Sequence, residues 1–207
     1  MDWHLIAAVL VTMAASYLLG CCNTSIVISK YVLRDDVRNH GSGNAGLTNF
    51  YRVFGKQKIL LVILADVLKT VIAVLAGAAL FHWAGNDPII GKLLGGLLCM
   101  VGHMFPFQFE FKGGKGVLAG GTMACFMGWK VAVAVWGIFF LMVILTRFVS
   151  LGSVSAGALY PISVGLVYQN LWYTLLALVA GGLLVWRHKD NIKRLLRGEE
   201  SKLKLHK

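Results

Sequence analysis

Proline occurs three times in 207 residues, cysteine four times and acidic side chains nine times. With 14% charged residues against 57% hydrophobic, the chain is neither disordered nor collagen-like. An ordinary water-soluble domain is also excluded, because about a quarter of its residues would be charged. Cys21, Cys22, Cys99 and Cys125 lie in or beside apolar runs and show neither C-x-x-C nor Cys/His ligand spacing. No disulfide framework and no metal site is expected from them. The opening Met1-Asp2-Trp3-His4 lacks a basic n-region and an A-x-A cleavage site, so the first apolar run is expected to stay as a span.

What the chain has in abundance is long apolar runs. A hydrocarbon core of roughly 30 Å takes about 20 helical residues per crossing. Runs at 3–25, 58–83, 89–109, 117–129, 131–148, 151–168 and 171–187 therefore predict an all-α integral membrane protein of about seven transmembrane helices. They use up residues 1–207 as a single polytopic domain. Run 117–129 is the shortest. Trp3, Trp83, Trp129, Trp172 and Trp186 fall at the ends of runs, where amphipathic rings meet an interface, and Trp136 does not.

A net charge of +11 suits nucleic acid in a soluble protein, but here the positions of the cations matter more. Seven alternating spans put 17 of the 20 Lys and Arg on one side and only Lys130 on the other, with Lys69 and Lys92 inside spans. That asymmetry predicts an outside N-terminus and a cytoplasmic C-terminus. The expected partners are membrane lipid and phosphorylated small molecules rather than nucleic acid. The 24 glycines suit close helix packing, with Gly91/Gly95 and Gly116/Gly120 at small-xxx-small spacing.

Three polar segments fall on the predicted inner face. The first runs from His40 through Gly41-Ser42-Gly43-Asn44-Ala45-Gly46 to Leu47-Thr48-Asn49 and Arg52. Glycine lets successive N–H groups converge on one anion, the small polar side chains add hydrogen bonds, and arginine offers a two-pronged phosphate fork. The second joins Gly102-His103-Met104-Phe105-Pro106 to Phe111-Lys112-Gly113-Gly114-Lys115-Gly116, just before a predicted helix whose N-terminal amides favour an anion. It has no G-x-x-x-x-G-K register and no Ser/Thr after the lysine, so ATP is not implied. In the third, His188, Asn191 and Arg194 recur every three residues along one helical face, followed by Glu200. A basic tail on anionic lipid would explain its charge but not that stripe.

Inside the second run, Asp66 and Lys69 are three apart and can pair, either as a functional group or as a support for the site. Arg147, Ser150 and Ser153 share a helical spacing and can face one pocket. His82 and Asp87 match the His-x-x-x-x-Asp spacing of soluble-type acyltransferases. They stand in a short outer loop without Lys or Arg, and the match is set aside.

Together these pieces closely resemble the bacterial integral-membrane acyl-phosphate:glycerol-3-phosphate acyltransferases, the PlsY family. The resemblance rests on Gly41–Asn49 with Arg52, on Asp66 and Lys69, and on Gly102–Pro106 with Phe111–Val117. It continues through Arg147, Ser150 and Ser153 to His188, Asn191, Arg194, Leu195, Gly198 and Glu200. Leu47, Leu118-Ala119 and Cys21-Cys22-Asn23 depart from the family pattern, the last replacing a Ser-Ile-Pro-like end of the first span. The resemblance implies acyl transfer from acyl phosphate to the 1-hydroxyl of glycerol 3-phosphate at the cytoplasmic face of a bacterial membrane, with no cofactor and no metal. An acyl phosphate is already activated, so no covalent enzyme intermediate is needed.

By that resemblance, Ser42, Arg52, Lys115, His188 and Asn191 are expected to hold glycerol phosphate. Asn44, Lys112 and the Gly113, Gly114 and Gly116 amides would meet the acyl phosphate and the developing oxyanion. Lys115, His188, Asn44 and Ser150 form the expected catalytic set, with Gly43, Gly46, Asn49, His103, Arg194 and Glu200 completing the substrate set. The hydroxyl proton can go to His188, to His103 or to a substrate phosphate oxygen. A small transporter of a phosphorylated anion is the rival reading, but the chain shows no internal repeat and its polar motifs crowd one face.

Overall fold

The computed structural model describes residues 2–203, in which helices are the sole regular secondary structure and no strand occurs. Lys204 and Lys207, two of the tail cations counted above, lie outside the described residues. The chain divides into two compact units, Met1–Met123 and Ala124–Lys207.

In the first unit, α1 (Trp3–Cys21) breaks before the four-residue α2 (Thr24–Val27), whose last residue runs into a π-turn at Ile28–Val32. The run expected as one helix over 3–25 thus turns at Cys22-Asn23, where Asn23 Oδ1 accepts the Ile26 N–H and caps α2. After a loop come α3 (Leu47–Phe54), α4 (Ile59–Trp83) and α5 (Pro88–Met104). The end of the first polar segment is thus helical: the Phe50 and Phe54 rings of α3 meet tilted at 48° with centroids 5.1 Å apart, and Leu47, Phe50 and Phe54 pack on one apolar cluster with Ile26, Val37, Ala45, Val62 and Phe109. Its amphipathic face forms only because that cluster exists to receive it.

α4 is built inside out. Leu60, Leu64, Leu68, Ile72 and Leu75 are exposed, while Asp66, Lys69 and Thr70 are buried. An apolar stripe turned outward and a polar stripe turned inward is the pattern of a helix in lipid. Gly91 and Gly95 of α5 lie directly against the backbone of Gly77 and Ala73 on α4, the close packing that their spacing predicts.

The unit division falls within α6 (Val117–Phe126). The second unit continues with α7 (Trp129–Thr146), α8 (Val149–Tyr168), α9 (Leu171–Arg187) and α10 (Lys189–Leu196). α7 packs on α8 and α8 on α9, the latter pair through Gly157 and Gly181. α10 turns away from α9 by 55° at His188.

Among the described residues, five helical stretches are long and apolar enough to cross a membrane, six if α9 and α10 count as one bent span. At a rise of about 1.5 Å per residue, α6 is roughly 15 Å long, half the hydrocarbon thickness. Seven crossings would need α6 as a short span. The five tryptophans placed at span ends are all at least half exposed, and Trp136 stacks on Phe140 within α7.

Candidate functional site

In the first unit the construction begins at the break in α1. A helix end leaves carbonyls without helical partners, and here side chains from elsewhere take them. Lys69 Nζ donates to Cys22 O at 2.9 Å and Gly20 O at 3.3 Å, and Gln108 Nε2 to Cys21 O at 2.8 Å. Asp66 pairs with Lys69 at 2.7 Å and accepts the Thr24 hydroxyl at 3.0 Å. The buried ion pair therefore supports the break, each charge offset by its partner and by hydrogen bonds.

Lys69 also reaches His103 Nδ1 at 3.2 Å. Asp66 Oδ1 lies 3.8 Å from the same nitrogen, so His103 joins the buried polar cluster of Asp66 and Lys69.

The loop at 41–46 is held from beneath by Asn49. Its amide donates to Val37 O and His40 O, both at 3.0 Å, and its Oδ1 accepts the Ser42 N–H at 2.9 Å. That commits Asn49 to shaping the loop, where it was expected to touch substrate. Ser42 and Gly43 are exposed, and Asn44, Gly46 and Arg52 are half-buried on the same loop and on α3. Arg38 donates to Phe109 O at 3.1 Å and holds the Asp36 carboxylate at 2.7 Å, which keeps that carboxyl below the usual range.

The second glycine-rich loop is anchored by main chain. The Gly113 N–H donates to Met104 O at 3.1 Å and the Gly114 N–H to His103 O at 3.0 Å. A side chain at Gly114 would collide with His103 Nε2 and meet Ala45 O at 2.8 Å, so the loop lies directly against the first one. Gly116 takes φ +75° before α6 starts, a conformation that suits glycine. Lys115 is half-buried and Lys112 exposed, the latter paired with Glu110 at 2.7 Å.

In the second unit, Glu200 is the hub. Its Oε1 accepts Ser150 Oγ and Asn191 Nδ2, and its Oε2 accepts Arg194 Nε, each at 2.7 Å. Burial pushes this carboxyl's pKa up, but the bonds from Asn191, Ser150 and Arg194 outweigh it, and the pKa lies below the ordinary glutamate value. Ser150 and Glu200, expected as catalytic and substrate-binding, are thereby engaged in positioning α8 and α10, and the Leu203 N–H closes the tail onto Arg147 O at 2.8 Å. His188 Nδ1 donates to Leu184 O at 2.8 Å, which fixes the buried ring on the last turn of α9.

Sequence reasoning missed Asn23 and Arg38 as contributors to the loops. Asn23 carries the standard signal of a helix cap, but its carbonyl partners are 22 and 80 residues away.

The glycerol-3-phosphate acyltransferase family model matches residues 10–198. Among curated relatives, a glycerol-3-phosphate acyltransferase of Prochlorococcus marinus (strain MIT 9312) is 39% identical over 190 residues, covering 91% of this chain and 94% of that protein. One of Thermoanaerobacter pseudethanolicus is 35% identical over 192 residues, covering 93% and 94%. The crystal structure of PlsY (YgiH), an integral membrane glycerol 3-phosphate acyltransferase, in its glycerol 3-phosphate form, superposes with a TM-score of 0.85 at 33% identity, over 95% of this chain and 96% of that one. Its lysophosphatidic acid form gives 0.82 at 32% identity over the same shares.

Proposed function

The chain belongs to the glycerol-3-phosphate acyltransferase family, and from that premise we propose that it transfers a fatty acyl group from acyl phosphate to the 1-hydroxyl of glycerol 3-phosphate, releasing 1-acyl-glycerol 3-phosphate and phosphate. The observation that carries the reading is the contact of the two glycine-rich loops, with Gly114 seated against Ala45 O. Two phosphorylated molecules must meet for this reaction, and two adjoining loops rich in amides and cations suit them.

Ser42, Arg52 and Lys115 of the first unit are assigned to glycerol phosphate, as are His188 and Asn191 of the second, while Asn44, Lys112 and the amides of Gly113, Gly114 and Gly116 engage the acyl phosphate and its oxyanion. Gly43 and Gly46 keep the first loop open to the substrate, and Arg194 orients Asn191 through Glu200. The hydroxyl proton goes to His188, to His103 or to a phosphate oxygen of the substrate. The chain works as one acyltransferase domain, crosses a bacterial plasma membrane with its N-terminus outside, and opens its site to the cytoplasm. The excess of cations on one side of the spans supports that orientation.

The test is purified protein in detergent given acyl phosphate and glycerol 3-phosphate, with release of phosphate and formation of lysophosphatidate measured together. Turnover with acyl phosphate is expected. Turnover with acyl-CoA alone, or none with either donor, overturns the reading. In intact cells, a maleimide should reach a cysteine placed at Glu199 only after the membrane is permeabilised.

A further inference from the structure

The break in α1 puts one fully buried amide between the two loops. Asn23 is 0% exposed. Its Nδ2 donates to Ala45 O at 3.2 Å, in the loop that carries Ser42 and Asn44, and to His103 O at 3.3 Å. His103 O in turn accepts the Gly114 N–H at 3.0 Å, in the loop that carries Lys112 and Lys115. Both amide hydrogens are thus used, one on each loop's anchor, and the Oδ1 caps α2 through the Ile26 N–H at 3.2 Å.

We propose that Asn23 is a positioning residue of the transfer reaction, whose amide clamps the two phosphate loops at a fixed separation. This rests on the functional reading above. Each loop has its own internal support, Asn49 beneath the first and the carbonyls of Met104 and His103 behind the second. Losing the clamp therefore leaves each loop able to take its anion, while the reacting hydroxyl and acyl carbon lose their mutual alignment. Misplacement of reacting groups by about an ångström lowers rate by up to about 100-fold. The effect belongs in kcat rather than in either KM.

Two substitutions separate this role from helix capping. Asn23→Ser keeps a capping oxygen for the Ile26 N–H but is too short to reach Ala45 O and His103 O. Asn23→Leu keeps the volume and loses both functions. If the clamp is real, both variants lose kcat by about 10- to 100-fold with both KM values within about threefold of the parent. The Ser variant does so while its unfolding midpoint in detergent stays near that of the parent. Hydrogen exchange on the same proteins in nanodiscs should quicken in peptides covering 41–47 and 111–117 together, with α4 unchanged.

Parental kcat in Asn23→Ser overturns the proposal. So does a loss confined to one KM, or faster exchange in one loop only. Should the parent protein turn over no acyl phosphate, the functional reading fails, and the exchange measurement still decides the clamp.

Discussion

The two units fix their polar residues by opposite means. In the first, ion pairs brace the α1 break and the base of the first loop, but the two glycine-rich loops are held by neutral amides and backbone carbonyls: Asn49 under one loop, Asn23 between two, Gly113 and Gly114 on the carbonyls behind them. In the second, a single carboxylate gathers a hydroxyl, an amide and a guanidinium. A neutral framework shapes a loop without setting a negative charge beside the anion it is to bind, so the local potential remains positive. A carboxylate hub holds more tightly per contact, because hydrogen bonds to ions are the stronger ones, but it depends on remaining ionised. The first arrangement should fail through geometry and the second through charge.

The largest effect expected is at Lys115. Losing a charge that holds glycerol phosphate misplaces the attacking hydroxyl, a fault that costs turnover about 100-fold, and Lys115→Ala should show that loss with the fold intact, checked by initial rates and unfolding in detergent. Lys112→Ala sharpens the contrast. Its ammonium is exposed and already paired with Glu110, and solvent-exposed pairs contribute little, so a loss of under about tenfold is expected. Equal losses for both lysines would mean that the loop acts as a diffuse charge.

Gly114→Ala attacks the framework directly. The added methyl would meet Ala45 O at 2.8 Å and also collide with His103 Nε2, so the two loops must part. A drop in kcat of about 10- to 100-fold is expected, as for any ångström-scale misalignment. If turnover is unchanged, the loops are not held in register and the comparison with the second unit loses its basis.

Glu200→Gln is the counterpart. It keeps an oxygen for Ser150 and Asn191 but turns an NH2 toward Arg194 Nε, a donor facing a donor. Arg194 is partly exposed, so the expected cost is discounted for solvent to about 1–2 kcal/mol, read as a lower unfolding midpoint. The sign with pH follows from a folded pKa below the unfolded one. The carboxylate's contribution is complete above the unfolded value of about 4.3 and is lost as pH falls through the lower folded value. The gap in midpoint between parent and Glu200→Gln should therefore stay level from pH 8 to about pH 5 and close only in stronger acid. A gap that narrows near neutrality would show that another group carries the cluster.

How legible these features were depends on range. Apolar runs and glycine motifs are local, and they gave the helices and both loops of the first unit. The α1 break was not legible, because no proline or glycine marks Cys22-Asn23; the turn is stabilised by Lys69, 46 residues beyond Asn23, and by Gln108. α3 was invisible for a related reason: Leu47, Phe50 and Phe54 need Val37, Val62 and Phe109 to pack against. Glu200 could be named but not given its task, since Ser150 lies 50 residues earlier. The run ending at Trp129 was apolar enough to read as a span, but the helix stops at Phe126, and Gly128, with φ +93°, precedes the next.

The smallest effect is expected where the sequence offered a false site. Asp87 Oδ1 accepts the Ile89 N–H at 2.9 Å and caps α5, with Pro88 in the first turn. His82 is an exposed residue in the last turn of α4. The His-x-x-x-x-Asp spacing is thus produced by the end of one helix and the start of the next. Asp87→Ala should lose about 1 kcal/mol of stability, the ordinary cost of a missing cap, with kcat unchanged. His82→Ala should lose neither stability beyond about 0.5 kcal/mol nor turnover. If His82→Ala stays folded but loses kcat, chemistry lies in the 82–87 loop, and the assignment to the glycine-rich loops has to be withdrawn.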